Sequence, residues 1–305
     1  MPKKDNVKSD VRWKEFWRQN ERFADLFNAV LFQGKEVLRP EDLEEIDTDM
    51  SGIVQFKDYE ESLVRARDVV KKMAFGVEFA VFGLESQQRI HYAMPLRTLL
   101  YDGLGYLKEY QMIAHSHKKE KDVMTKDEFL SGMCKEDRLH PIVSVTVYYG
   151  EQAWDGPMSL KDMIVEMPEE IESIFSDYKL NLVQVRESEQ YKFHNEDVKT
   201  VFEVSREIFK KNFDKIYKMY GDRDVDAELI AMIGIITDSA ELIRQGEKRE
   251  VQNMCTALEE LKNEGRQEGV RDSAVKLLGK GFSVPEVASL LELSKEEVLK
   301  MQQKI

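Results

Sequence analysis

The sequence predicts an α/β domain with a mixed sheet flanked by helices, followed by an all-helical C-terminal region. Three observations predict it. Short β-type runs at 68–74, 78–84, 141–149 and 181–186 alternate with stretches of helical periodicity, the order expected of a sheet covered by helices. The run Phe79-Ala80-Val81-Phe82, closing on Leu84, is almost continuously apolar, as suits a strand buried on both faces. From Asn195 to about Gly265 the pattern is wholly helical. We therefore divide the chain into a core over 1–195, a helical extension over 196–265 and a small helical tail over 266–305.

Taken in order, 10–32 reads as the first helix. Trp13, Phe16, Trp17, Phe23, Leu26, Phe27, Val30 and Leu31 recur three and four apart, making an aromatic stripe that packs on a sheet. A linker and short helix follow over 34–50, and Leu43, Ile46, Ile53, Val54 and Phe56 mark a first strand or its approach. The runs 68–74 and 78–84 form a hairpin with Gly76 in its turn. Pro95 sits in the first turn of a long helix over 95–117, where its missing N–H costs nothing, and Leu96, Leu99, Leu100, Leu104 and Leu107 form that helix's stripe. The clearest strand is 141–149, with Ile142, Val143, Val145 and Val147. Two short amphipathic helices, 159–163 and 168–175, separate it from the strand at 181–186.

In the helical extension Val198, Val201, Phe202, Val204 and Ile208 form one stripe; Leu229, Ile230, Ile233, Ile236 and Ile243 form another. The glycines of the repeat Glu264-Gly265-x-x-Glu268-Gly269 cost about 1 kcal/mol each in a helix, so this stretch reads as a pliable helix or linker. The tail reads as three helices, with capping boxes at Ser283/Glu286 and Ser294/Glu297. Its pattern resembles a helix-turn-helix whose second helix, 295–304, would enter a DNA groove, although Glu296 and Glu297 stand where phosphate contacts belong. A small interaction bundle suits the tail equally.

Composition narrows the function classes. No apolar run reaches membrane-span length, and the N-terminus has no apolar signal core, so a cytoplasmic protein without membrane partners is expected. Two cysteines, Cys134 and Cys255, do not indicate a disulfide framework. The net charge of −13 opposes non-specific DNA binding, which draws most of its affinity from phosphate neutralisation. DNA contact would need a local basic patch, such as Lys3, Lys4, Lys8, Arg12 and Lys14, or Lys118, Lys119 and Lys121. His115 and His117 with Glu120 read as an exposed turn rather than a metal cluster, and Cys134 with His140, one thiol and one imidazole, do not make a zinc site.

The chemistry is concentrated at the hairpin. Asp68 opens one strand, and the next ends in Glu85-Ser86-Gln87, whose alternate residues share a face about 7 Å apart along the strand. Two carboxylates with open opposite positions suit a hard cation such as Mg²⁺, with Mn²⁺ as a substitute. The arrangement Asp68-x(16)-Glu85-x-Gln87 resembles the PD-(D/E)XK nuclease motif. Met94-Pro95-x-Arg97, Tyr101-Asp102…Tyr106, the strand at 141–150 and Trp154 extend that likeness. Together they resemble the recombination-promoting nuclease / putative transposase family, a branch of the PD-(D/E)XK superfamily.

That resemblance implies a restriction-endonuclease-like core and DNA hydrolysis. It assigns catalysis to Asp68, Glu85 and Gln87, with Asp68 and Glu85 holding the metal, and support to Arg97, Tyr101, Tyr106 and Glu21 on the first helix. Asp25, one turn later, competes with Glu21. Gln87 stands where the superfamily usually has Lys, so it can position a water but adds no positive charge. The implied partner is DNA, with self-association through the C-terminal helices. The competing reading is a catalytically weak or inactive nuclease fold that binds DNA or protein.

Overall fold

The computed structural model describes residues 4–45, 69–73, 78–83, 90–120, 125–248 and 251–302. The chain divides into two compact units, Met1–Lys211 with Ile236–Asp238, and Asn212–Ile235 with Ser239–Ile305. The division after Lys211 lies between the boundaries at 195 and 265 drawn from the sequence.

In the first unit the expected first helix is two helices, α1 (Lys4–Arg18) and α2 (Asn20–Leu31), with Gln19 extended between them. The break serves the sheet. Lys71 in β2 (Val69–Met73) is only 1% exposed, and its ammonium donates to the Arg18 carbonyl and to Asn20 Oδ1. The end of a helix leaves carbonyls without helical partners, and here a buried lysine satisfies one. Asn20 Nδ2 donates onward to the carbonyls of Pro40 and Leu43 at 2.8 and 2.9 Å, joining the helix break to the start of β1 (Leu43–Glu45). Lys71→Met keeps the bulk of the stem but strands these acceptors, so we expect a loss of about 2–3 kcal/mol in urea unfolding. A change below about 0.5 kcal/mol would show that the lysine is not holding the break.

Five strands form one sheet in the order β1, β2, β3 (Glu78–Gly83), β4 (Ile142–Tyr148), β5 (Asn181–Gln184). The pairs β1–β2 and β2–β3 are antiparallel; β3–β4 and β4–β5 are parallel. A parallel pair needs a long crossover, and α3 (Met94–Glu120) lies within the one between β3 and β4. The register aligns Val69 with Val81, Val81 with Val145, and Val145 with Asn181. The start of β2 and the ends of β3, β4 and β5 therefore lie at one end of the sheet.

Helices cover both faces of β4, which is why its residues are almost all buried. Alternate residues point to opposite faces. Ser144 and Tyr148 meet α3, where Asp102 accepts from Ser144 Oγ at 2.5 Å and Tyr101 packs in one cluster with Tyr148. Tyr149, of the other parity, meets Trp13 of α1 with ring centroids 4.8 Å apart. Behind α1, Trp17 lies edge-on to Phe202 of α6 (Glu196–Phe209) at 6.3 Å. Two short helices in this unit, α4 (Lys126–Ser131) and α5 (Glu169–Glu172), are largely exposed. The α5 segment departs from the amphipathic reading, because Ile171 and Ile174 both face solvent.

The second unit contains α7 (Phe213–Tyr220), α8 (Ala227–Thr237) as far as Ile235, and α9 (Ala240–Lys248). A two-stranded antiparallel pair, β6 (Asp224–Asp226) with β7 (Val251–Asn253), was not expected from the sequence. α8 is buried nearly all round rather than along one stripe, with Leu229, Ile230, Met232, Ile233 and Ile235 all buried. It packs closely on α9, where a Cβ at Gly246 would lie 2.5 Å from both the Ala227 carbonyl oxygen and Ala231 Cβ. α10 (Met254–Gly279) runs unbroken through Gly265 and Gly269, so the repeat is helix and not linker. α11 (Val284–Leu290) and α12 (Lys295–Gln302) fold against its end around Ala274, Val287, Ala288 and Val298. Both expected capping boxes form; Glu286 and Glu297 accept from the backbone amides of Ser283 and Ser294 at 2.7 and 2.9 Å. Among the described residues no helix is long and apolar enough to cross a membrane.

Candidate active site

The sheet end where β3, β4 and β5 finish is also where α3 begins. Asp68, Glu85 and Gln87 lie outside the described residues; in the chain, Asp68 directly precedes Val69 of β2, and Glu85 follows Gly83 of β3 by two. The described residues around this end are built from the first turns of α3 and the loops after β4 and β5.

Met94 and Tyr101, seven apart on one face of α3, bury against Tyr148 and Leu180, with Ile90, Trp154 and Leu182 packed around them. Arg97, one turn from both, is half-buried, and its Nε and Nη2 donate to the Tyr101 hydroxyl at 3.3 and 3.2 Å. The guanidinium is thereby aimed by a fixed phenol while remaining partly open to a ligand. Trp154 closes the edge of the cluster. Its amide donates to Gln184 Oε1 at 2.7 Å, its indole N–H donates to the Gly156 carbonyl at 2.9 Å, and its ring meets Tyr148 edge-on at 5.2 Å. A Cβ at Gly156 would fall 2.8 Å from Ile90 Cγ2, so only glycine lets this turn lie so close to the approach to α3.

Tyr106 is placed elsewhere. Its hydroxyl accepts from the Ile142 amide at 3.1 Å, at the opposite end of β4, where it terminates the strand. Glu21 is exposed in the first turn of α2. Asp25 is buried: its Oδ1 accepts the His194 amide at 2.8 Å, while its Oδ2 is buried without a hydrogen-bond partner. Burial raises the Asp25 carboxyl above its ordinary range, offset in part by the backbone amides of His194 and Asn195. With Arg22, which pairs with Asp197 at 2.9 Å, Asp25 ties α2 to the start of α6. Of the supporting residues, Arg97 and Tyr101 are thus the ones brought together at this sheet end. Lys118 and Lys119 are exposed near the other end of α3, roughly 30 Å from Arg97 at the helical rise, and form no patch with it.

Several groups here were not singled out from the sequence. The Tyr92 hydroxyl donates to Asp155 Oδ1 at 3.2 Å. Burial first, and then the negative charge of Asp155, raises the Tyr148 hydroxyl's pKa, with Arg186 opposing. Two buried polar atoms, His91 Nδ1 and Thr146 Oγ1, have no hydrogen-bond partner. Burial, with the nearby positive Arg97 second, lowers the His91 pKa below its usual 6.5. The one available signal for His91 was its place between an apolar strand and a Pro-started helix. Because the folded pKa lies below the unfolded one, the unfolded chain gains the proton first. His91 therefore costs no stability above pH 6.5 and costs progressively more as pH falls below it. The melting temperature of the wild type should fall more steeply below pH 6.5 than that of His91→Gln; parallel curves would refute this.

A family model described as a putative transposase, YhgA-like, matches residues 107–223. The match takes in the C-terminal half of α3 and all of β4, β5 and α6, and it begins after Glu85-x-Gln87 and Arg97. No curated protein matches the chain, and no solved structure matches it.

Proposed function

We propose that the chain is a metal-dependent DNA endonuclease of the transposase-like class, hydrolysing phosphodiester bonds on a restriction-endonuclease-like core. One observation carries this: the order and direction of the sheet. An antiparallel run β1–β2–β3 is joined to a parallel β4, with helix α3 in the β3–β4 crossover, and β2 starts at the end of the sheet where β3 stops. The residues flanking those two points in the sequence are Asp68 and Glu85. The similarity of 107–223 to a transposase-like family favours a nucleic-acid substrate.

Two carboxylates form a donor set suited to Mg²⁺, and Asp68 and Glu85 would hold it. The ion, when bound, supplies a lowered pKa to its water and positive charge to the developing phosphorane. Gln87 would orient the attacking water through its amide. Arg97, braced by the Tyr101 hydroxyl, offers two N–H groups to a phosphate oxygen pair, the bidentate contact that guanidinium makes best. A net charge of −13 leaves DNA affinity to such local cations and to the metal. The acidic surface and the neutral Gln87 favour a second reading, a DNA- or protein-binding module without cleavage. Incubating supercoiled plasmid with the purified chain separates the two. Nicking in Mg²⁺ or Mn²⁺ that stops in EDTA is expected; intact plasmid with folded protein in both would leave the binding module.

A further inference from the structure

We propose that Cys134 is a reactive thiol, activated by His117 and Asp137, that takes soft electrophiles of the hydroperoxide class. The site is independent of the one above. It lies where the last turns of α3 meet the turn following α4. That turn is fixed by Gly132, in the left-handed region at φ +71, and by the Tyr110 hydroxyl, which donates to the Ser131 carbonyl at 2.8 Å. A Cβ on Gly132 would lie 3.2 Å from Ala114 Cβ, so the turn sits directly on α3.

The three side chains are ordered in one direction. Asp137 Oδ2 accepts the Cys134 amide at 2.6 Å and stands 2.7 Å from His117 Nε2. An ionised carboxylate can only accept, so Nε2 carries the proton and Nδ1 of the same ring is left as an acceptor. That nitrogen lies 4.0 Å from Cys134 Sγ. The His117 hydrogen bond, followed by the Cys134 amide, holds the Asp137 carboxyl below its ordinary range, so the carboxylate is present at neutral pH. Arg138 of the turn lowers it further, while Asp137 and the Glu128 carboxylate of α4 act on one another as like charges. His117 and Asp137 side chains are 16% and 20% exposed, and Cys134 is half-buried, so the cluster is not sealed inside the core. This is a nucleophile, a base and an orienting group in sequence, the arrangement that activates a thiol.

The same three donors lie within 4.8 Å of one another and so also offer nitrogen, sulfur and oxygen to a borderline metal such as zinc. The geometry favours the thiol. Sulfur and carboxylate sit on opposite nitrogens of one imidazole, and a shared ion would require breaking the His117–Asp137 bond. In the reaction, the thiol proton passes to His117 Nδ1 and sulfur attacks the terminal peroxide oxygen. The S–O bond forms, the O–O bond breaks, and the leaving oxygen takes the proton back as water or alcohol. Sulfur is oxidised by two electrons to the sulfenic acid, and the peroxide is reduced.

The full chain carries its own control in Cys255. Limiting iodoacetamide at a series of pH values, read by peptide mass spectrometry, gives the alkylation rate of each cysteine. Cys134 should react at pH 7 about tenfold faster in the wild type than in His117→Gln, with a midpoint well below the ordinary thiol value of about 8.5. After hydrogen peroxide treatment, a sulfenic-acid probe should label Cys134 in the wild type and lose most of that label in Asp137→Asn. A wild-type midpoint near 8.5 overturns the proposal without reference to any variant. So does stoichiometric zinc binding that shields Cys134 from alkylation, which would make the cluster a metal site.

Discussion

Replacing Asp68 and Glu85 together by alanine is expected to remove metal-dependent plasmid cleavage, by at least about a hundredfold and to background in an ordinary assay. Loss of a single group stabilising transition-state charge is felt on that scale, and the double variant would remove both proposed ligands of the ion that supplies it. Stability should hardly change or should rise slightly, because two carboxylates gathered for a cation repel one another without it. The pairing of melting temperature with activity is therefore the informative readout. Cleavage that survives in the double variant would place the metal elsewhere or assign the activity to a contaminant. Arg97→Lys provides a graded companion: a point charge replaces a two-pronged donor, so cleavage should weaken without vanishing and the dependence on salt should persist.

The second large effect concerns stability. Asp102 is 1% exposed in the middle of α3, and its carboxylate accepts Ser144 Oγ at 2.5 Å and the Tyr178 hydroxyl. Through this one side chain α3 is fixed both to β4 and to the residues leading into β5, and so the first turns of α3 are fixed to the sheet end. Asp102→Ala would take the acceptor from a buried hydroxyl, Ser144, and a half-buried one, Tyr178, and we expect a total loss of about 2–3 kcal/mol in denaturant unfolding. Adding Tyr178→Phe to Asp102→Ala should cost less than the two changes summed, since they share one network. Additive losses would show that the two side chains act separately. Arg97 and Tyr101 lie on the same helix, so a milder variant, Asp102→Asn, should lower cleavage in step with its loss of rigidity.

Much of the fold was legible in the sequence because burial leaves a periodic trace. The strands β2 to β5 each fall within a segment read as a strand, most plainly β4 with its β-branched residues, and α3 begins at a Met-Pro step, proline being favoured in a first helical turn. The two tail capping boxes were readable because a cap is a local contact three residues long. The reading differed at two places. Nothing between 10 and 32 announces a break at Gln19; the buried lysine that satisfies it, Lys71, lies some fifty residues on in the chain. The repeat at Gly265 and Gly269 contains poor helix formers, yet α10 runs through both glycines without a break.

For the site, the sequence by itself determined the residue types and their order: an acid, an acid with an amide, then an arginine and tyrosines on a helix. Spacing cannot say which of these meet in space. The tertiary structure decided that Arg97 and Tyr101 stand together at one end of β4 while Tyr106 ends at the other, since α3 runs antiparallel to the strand it covers. It also decided that Cys134, His117 and Asp137 form one cluster, although the sequence suggested only an exposed turn at His117 and too few ligands for a zinc site at Cys134. Local order is written in neighbouring residues; the meeting of a helix end with a turn seventeen residues later depends on how the chain folds back, and only the packed core fixes that.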